Sequence, residues 1–555
     1  MKLRMSLALL MVMAGLKAGT TYNTTLTTTV HAQELTVEKV AAEVAKTESA
    51  VLARMRGFQP IVEVYLQTMD EKLGTTPVRD EYLLGQFAWS ETPGPQLNPL
   101  TPEKGSLTNG GGLLRMFQTQ YLPSGFSAMA AADWRGLDPE RYNYTFVRRE
   151  FLGEARCLVF DIQPKNGKDD GFSGRIWVED KEFNVVRFNG MTKVVHAPNG
   201  KFLRKSLPFN VDSWRTNVMP GLWLPSYVYA EETVDSKNAT VPKLRSQVRL
   251  WGYKLKGAVK RQELTAIRID DPIVLDDEAQ PQQLSPVLSQ RQWSQQAEEN
   301  ILDRLTKAGL LAPVGKVDKV LETVAQNLVI TSNLTIEPEV KVRILLTSPL
   351  ESFTVGHTIV ISRGLIDVLP DEASLAMVIA HELSHIALDH QVIDTRYAFA
   401  DRLMIPDNEL LQAVQVKHTA AEETAADLSQ VDMLKKSPYK EKLGEAGLFL
   451  RAVAAHTLKL KNLITPHLAE EVASNNGVPR LGALMQGAPD LAPGSLMQVA
   501  ALPLGARLIV DPWSSELELL RNTNVQAVSA REKLPLAIAP LIPYIKYAEP
   551  ALAER

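Results

Sequence analysis

Two histidines and a glutamate near position 381 have the spacing of a metal-dependent hydrolytic site. The run His381-Glu382-Leu383-Ser384-His385 lies in a segment of helical composition. Residues four apart lie on one face of a helix, so both imidazoles can bind the same tetrahedral zinc ion. Glu382 would project beside them and take a proton from a water on that ion. The spacing predicts that His381 and His385 are zinc ligands and that Glu382 is the general base.

A candidate third ligand follows in the segment Glu422-Glu423-Thr424-Ala425-Ala426-Asp427. Glu423 and Asp427 lie four positions apart, on one face of a predicted helix. Glu423 would complete a site with two histidines, one glutamate and an open fourth position. Asp427 would accept a hydrogen bond from a ligand imidazole. Glu422 is the alternative ligand, but it has no acidic residue four positions later.

The remaining nearby histidines are predicted to play smaller parts. His390 lies nine positions after His381, which in a continuous helix points it to the opposite side. His418 lies five positions before Glu423, off the face of that residue. His357 precedes the motif helix in a predicted strand and is a candidate residue of the cleft.

These motifs resemble the HtpX, BepA and CAAX-prenyl-protease family of gluzincins, zinc metallopeptidases. The resemblance is carried by TVGHTIVISRGLIDVLPDEASLAMVIAHELSHIALDH and by EETAAD. It implies one zinc ion per chain, held by His381, His385 and Glu423, with Glu382 as base and Asp427 behind a ligand. It also implies a soluble, BepA-like member rather than a membrane-spanning one. The chain departs from the family downstream, where no histidine or arginine can be assigned to the oxyanion and no helical repeats are evident.

Residues 353–361 are rich in β-branched side chains and directly precede the motif helix. In the family that the chain resembles, this strand is a sheet edge lining the cleft. An exposed edge can pair with an extended peptide. We therefore expect substrate to bind along this strand, at Thr358, Ile359 and Val360. The alternative is a strand paired on both sides that serves only the core.

The elements that must position these residues indicate an α+β multidomain fold. Asp371 can cap the motif helix, whose apolar residues on all sides predict a central, buried position. Short apolar runs separated by turn residues predict an antiparallel β-rich region upstream. Its run GRIWVEDKEFNVVRFNG resembles the curved sheets of periplasmic lipoprotein carriers, although a β domain for packing or docking is the favoured interpretation. A mostly helical gluzincin-type metallopeptidase domain with a small edge-strand sheet follows.

The predicted domain boundaries follow changes in composition along the 555 residues. Residues 1–32 are predicted to be a signal peptide, and residues 33–268 a β-rich N-terminal domain. Residues 269–292, rich in Pro, Gln and Asp, are predicted to be a linker. Residues 293–437 then form the zinc metallopeptidase domain, and residues 438–555 a C-terminal extension packed on it.

The N-terminal leader predicts export, most simply to a bacterial periplasm. Lys2 and Arg4 precede an apolar stretch too short to span a bilayer, and small residues precede Gln33. A Thr-rich, acid-free leader is also compatible with an organellar transit peptide. The mature chain is expected to have no transmembrane segment. The net charge of the full 555-residue chain is −4, which argues against nucleic acid as a partner.

Together these features predict a zinc-dependent endopeptidase whose partners are protein or peptide substrates, with misfolded envelope proteins as one candidate class. The alternative is a non-catalytic envelope chaperone or carrier that retains the zinc-binding fold. The intact Glu382 favours the enzyme, because a carrier has no use for a general base.

Overall fold

The computed structural model describes residues 36–69, 77–89, 95–100, 123–166, 171–193, 208–233, 244–253, 286–390, 411, 418–464, 481–492, 498 and 508–519. The predicted signal peptide, the region 269–285 of the predicted linker and the Pro-rich stretch 534–550 lie outside these residues. Among the described helices, none combines the length and apolarity needed to cross a membrane.

The N-terminal half of the described chain is a ten-stranded antiparallel sheet with the strand order β3-β2-β1-β10-β9-β8-β7-β6-β5-β4. Helix α1 (Val37–Met55) precedes it, and the short helix α2 (Pro123–Phe126) interrupts it after β3. This confirms the predicted antiparallel β-rich region. The strands are β1 (Ile61–Met69), β2 (Pro77–Trp89), β3 (Pro95–Pro99), β4 (Tyr142–Leu152), β5 (Ala155–Pro164), β6 (Ser173–Glu179), β7 (Val185–Lys193), β8 (Pro208–Met219), β9 (Leu222–Glu232) and β10 (Leu244–Trp251).

Strand β1 is buried on both faces because it separates two hydrophobic cores. Val62 and Val64 pack with α1 and the rest of the sheet. Ile61 and Tyr65, one position out of phase, pack with residues of the C-terminal half. Successive side chains of a strand point to opposite faces, so one strand contributes to both cores. The sheet and the C-terminal half therefore share a continuous buried interface.

The C-terminal half is mostly helical and contains two small sheets. Two long helices come first, and β11, β13 and β12 form a sheet in that order. The elements are α3 (Pro286–Lys307), α4 (Lys316–Thr331), β11 (Lys341–Leu345), β12 (Ser352–Val355), β13 (Thr358–Ser362), α5 (Arg363–Val368), α6 (Glu372–Ala387), α7 (Ala420–Lys436), α8 (Leu443–His456), α9 (Gly482–Gln486), β14 (Leu508–Val510) and β15 (Leu517–Leu519). The last two strands form an antiparallel hairpin around Asp511 and Pro512.

The prediction of one strand over residues 353–361 is wrong. Strands β12 and β13 are two arms of a hairpin, and Val355 pairs with Thr358 across a turn of two residues. Gly356, the first turn residue, has a φ of 59°, as a type II′ turn requires at that position. Thr358, Ile359 and Val360 lie in β13, which pairs with β11 on one side and β12 on the other. They are therefore central residues, and β11 and β12 are the outer strands of this sheet.

The C-terminal end of the predicted linker is helical. Helix α3 begins at Pro286, so residues 286–292 are helical. Proline is compatible with the first turn of a helix, where its missing N–H has no partner to lose. Gln290, Arg291 and Gln292 are exposed polar residues, and even Trp293 is 51% exposed. Without an apolar stripe, this segment lacks the periodicity that identifies a helix.

Candidate metal centre

Helix α6 carries the motif and is the central helix of the C-terminal half. Its N-cap is Asp371, as predicted, whose Oδ1 accepts a hydrogen bond of 2.8 Å from the backbone N–H of Ser374. Every residue from Ala373 to Ile386 is buried. Packing on all sides fixes the helix, so that the side chains of His381 and His385 are held on one face with their Nε2 atoms 3.2 Å apart.

Helix α7 supplies the carboxylates. Thr419 caps it and forms a reciprocal capping box with Glu422, whose carboxylate accepts a hydrogen bond of 2.7 Å from the backbone N–H of Thr419. That bond lowers the pKa of Glu422 and engages its exposed side chain at the helix terminus. Glu423, the next residue, is buried and points toward α6. The structure therefore brings Glu423, and not Glu422, to the histidines.

Glu423 lies close to both imidazoles. Its Oε2 is 3.5 Å from His381 Nε2 and 3.8 Å from His385 Nε2. In the part of the chain that the structure describes, these three residues form the one group of histidine, cysteine and acidic side chains arranged to hold a metal ion.

The same face of α7 continues with Asp427 and Gln430. Asp427 Oδ1 lies 3.3 Å from His381 Nδ1, on the side of the ring away from His385 Nε2. Gln430 donates a hydrogen bond of 2.8 Å to the backbone carbonyl of Met377. Residues 423, 427 and 430 are about one helical turn apart, so one stripe of α7 aligns it along α6.

Glu382 is also buried, and its Oε1 accepts a hydrogen bond of 2.7 Å from the hydroxyl of Ser352. Ser352 is the first residue of β12. No sequence signal indicates this contact, because Ser352 lies thirty positions from Glu382 and outside the motif. The hydrogen bond joins the carboxylate to β12, an outer strand of the small sheet.

The predictions for two other histidines are corrected by the structure. Helix α6 ends at Ala387, so His390 is not on a continuing helix, and its Nδ1 lies 3.2 Å from His385 Nδ1. The ring of His418 stacks on that of His385, with centroids 3.8 Å apart and planes at 15°. A helix continued through residue 390 would have separated His390 from His385. The apolar periodicity of the sequence did not indicate that α6 ends before residue 390.

His357 lies in the turn between β12 and β13, next to α3. Its backbone N–H donates a hydrogen bond of 3.0 Å to Glu298 Oε2, and its Nδ1 is 4.0 Å from the same oxygen. Glu298 also accepts a hydrogen bond from the Thr358 hydroxyl. These contacts attach the hairpin to α3. A role for His357 in the cleft stays a prediction.

The imidazole of His385 is held in the neutral form. Burial, together with the neighbouring His381, lowers the pKa of His385 to about 3. A neutral imidazole has a lone pair available for a cation, whereas a protonated one does not. The ring is therefore in the state that a metal ligand requires at neutral pH.

Comparison with known proteins identifies the region that contains this centre. Residues 315–443 match Peptidase family M48, a family of metal-dependent peptidases, and this match supports a metallopeptidase domain in this region. The match includes all the residues of the centre but covers less than half of the chain. No curated protein matches the chain significantly.

Two solved structures of bacterial proteins also resemble part of the chain. A LolA superfamily protein from Nitrosomonas europaea is 13% identical, with 38% of this chain and 90% of that chain covered and a TM-score of 0.22. A putative outer membrane lipoprotein-sorting protein domain from Vibrio parahaemolyticus is 9% identical, with coverage of 37% and 91% and a TM-score of 0.21. Likeness at this level says nothing about what the present chain does.

Proposed function

We propose that this chain is a zinc-dependent endopeptidase that hydrolyses peptide bonds of unfolded or envelope proteins. The observation that supports this proposal best is the convergence of His381, His385 and Glu423 beside a buried carboxylate, Glu382, on the central helix. The M48 match over residues 315–443 supports the peptidase class independently.

The spacing of the ligand atoms suits zinc. Ligands about 2.1 Å from a tetrahedral ion lie roughly 3.4 Å from one another. The three distances here are 3.2, 3.5 and 3.8 Å. Two imidazoles and one carboxylate are a common donor set for catalytic zinc, which leaves the fourth position for water or substrate. Asp427 beside His381 Nδ1 supplies the outer hydrogen-bond acceptor that such imidazoles usually have.

The mechanism assigns one task to each side chain. His381, His385 and Glu423 would hold zinc, which when bound supplies Lewis acidity that activates water and polarises a peptide carbonyl. Glu382 accepts the proton of the attacking water and then delivers it to the nitrogen of the leaving amine. Ser352 holds the glutamate in place through Oε1. The buried surroundings exclude bulk water from this proton transfer.

Strand β12 is the element best suited to align an extended substrate. The carbonyl of Glu351 accepts from the Ser362 N–H, so Glu351 faces β13. Backbone groups alternate along an antiparallel strand, which turns those of Ser352 and Thr354 away from β13. A peptide that pairs with this edge would lie beside Glu382 through Ser352. Backbone pairing selects side chains weakly, which suits the cleavage of unfolded chains.

We propose export on the basis of the leader alone, with the envelope as the site of action. The charged start, the short apolar stretch and the small residues before Gln33 support it. Misfolded proteins of that compartment are the substrates that an edge-strand mode would accept, because they present extended segments.

The test uses the full chain purified with zinc. We expect about one zinc per chain by elemental analysis, and cleavage of casein that a chelator abolishes and zinc restores. Wild-type protein that binds zinc and leaves casein intact would support the non-catalytic chaperone or carrier instead. Substrate trapping with Glu382→Gln in the native envelope would then identify the physiological targets.

A further inference from the structure

The two ligand imidazoles differ in what lies behind them. His381 Nδ1 faces Asp427, 3.3 Å away. Among the residues that the structure describes, no carboxylate is found in the equivalent place on His385, whose Nδ1 lies 3.2 Å from His390 Nδ1. Imidazole ligands usually donate this outer N–H to an acceptor, which fixes both the tautomer and the orientation of the ring.

The end of helix α6 creates this contact. Leu388 caps the helix, and Asp389 adopts a left-handed conformation with a φ of 55°, which aspartate tolerates better than most residues. The chain then folds back, and the backbone N–H of His390 donates a hydrogen bond of 2.9 Å to the carbonyl of His385. His390 is thus attached to His385 through both backbone and side chain.

A third histidine fixes the ring from its face. His418, directly before the Thr419 cap of α7, stacks on His385 at 3.8 Å. Stacking restricts tilt of the ring, whereas the contact with His390 restricts its rotation in the plane. The residues just after α6 and just before α7 therefore both restrain the His385 ring.

We propose that His390 is a positioning residue of the metal centre. It would orient the His385 ring as Asp427 orients the His381 ring. For His385 Nε2 to bind a cation, the proton of the neutral ring must be on Nδ1. The Nδ1–H of His385 then donates a hydrogen bond to His390 Nδ1. Because His390 Nδ1 accepts this bond, the ring proton of His390 is on its Nε2. This inference rests on the metal site proposed above.

Two substitutions separate the hydrogen-bonding contribution of His390 from its packing contribution. In His390→Asn, the amide oxygen lies near the position of the original Nδ1 and can accept the same hydrogen bond. In His390→Phe, an aromatic ring is kept but the hydrogen-bond acceptor is lost. His456→Phe is the matched control, because His456 contacts a carbonyl of its own helix, that of Ala452.

The experiment measures zinc affinity of the full chain by competition with a chromogenic chelator, and the melting temperature of the metal-free protein. We expect His390→Phe to bind zinc about 10–100-fold more weakly, as losses of outer-shell partners typically do. His390→Asn and His456→Phe should stay within about threefold of wild type, and cobalt-loaded His390→Phe should show altered visible absorption bands.

Wild-type zinc affinity in His390→Phe would overturn the inference, as would a greater loss in His390→Asn than in His390→Phe, which would assign the residue to packing. If His390→Phe fails to fold, His390→Leu replaces it with the same expected loss. If the wild-type protein itself binds no zinc, the proposed function fails as well. If the wild-type protein binds zinc and His390→Phe binds it equally well, only the present inference fails.

Discussion

The hydroxyl of Ser352 donates a hydrogen bond of 2.7 Å to Glu382 Oε1, which joins the outer strand of the small sheet to the proposed general base. Ser352 thus lies in the strand along which substrate would align and also contacts the carboxylate that would accept the proton of water. The orientation of Glu382 is consequently set by tertiary structure, and not by its helix alone.

Glu382→Gln should retain zinc and lose peptide hydrolysis. The amide preserves shape and the hydrogen bond from Ser352, but it cannot take a proton from water, and loss of a general base typically costs ~10²–10⁴ in rate. Zinc content and casein cleavage measured on the same preparation check this. Turnover at the wild-type rate would refute the role assigned to Glu382.

Glu423→Ala should lower zinc affinity much more than Glu422→Ala, because only Glu423 points toward the histidines. Asp427→Asn should be intermediate, with a loss of about 10–100-fold, since it removes the carboxylate charge 3.3 Å from His381 Nδ1. Titration of each variant with a zinc chelator gives the order. Full zinc in Glu423→Ala at low free zinc would contradict the ligand set.

Thr354→Pro should impair substrate binding while leaving the metal centre intact. The Thr354 N–H is turned away from β13, so proline there removes a donor from the outer edge without breaking the hairpin. The loss of one backbone hydrogen bond, about 1 kcal/mol, should raise KM roughly fivefold. Steady-state kinetics with a peptide substrate, accompanied by zinc analysis and melting temperature, measure this effect. An unchanged KM in a folded variant would exclude the edge-strand mode.

Glu63→Ala should destabilise the whole described chain rather than the sheet alone. Glu63 lies in β1, is 1% exposed, and accepts hydrogen bonds from the backbone N–H and hydroxyl of Ser348 and from Tyr82. Leaving these donors unpaired should cost about 3 kcal/mol. Urea denaturation should show a single transition at lower concentration.

Glu81→Ala is the control for that measurement, because Glu81 forms a surface ion pair with Arg79 and such pairs contribute under about 1 kcal/mol. Two separate transitions in wild type would show that the sheet and the helical half unfold independently, contrary to the shared core of Ile61 and Tyr65.

Asp133→Asn should reduce stability at neutral pH but not in acid. Burial raises the pKa of Asp133, but hydrogen bonds from Arg135, Tyr142 and Arg141 outweigh burial and lower it overall. The folded protein therefore favours the charged form. The stabilisation is complete above the unfolded pKa of about 4 and is lost as pH falls through the lower folded pKa.

The difference in free energy of unfolding between wild type and Asp133→Asn, measured by urea denaturation, should be about 2 kcal/mol at pH 7 and shrink below pH 4. Asp161→Asn is the control, because Asp161 pairs with Arg175 at the surface and should change stability little. A pH-independent difference for Asp133→Asn would indicate that its charge contributes nothing.

The sequence by itself determined the chemistry of the centre and the kinds of element around it. His381, Glu382 and His385 are related by the fixed period of one helix, and so are Glu423 and Asp427. Local patterns in the sequence also predicted the antiparallel strands and the Asp371 cap, because each depends on neighbours within a few residues.

Only the tertiary structure decided how distant segments meet. The sequence placed Thr358, Ile359 and Val360 at an edge, but pairing with β11 makes their strand central. It placed His390 on the far side of α6, but the helix ends first and the chain turns back to His385. Strand neighbours, helix ends and contacts such as Ser352 with Glu382 depend on the packing of residues far apart in sequence, which local periodicity does not encode.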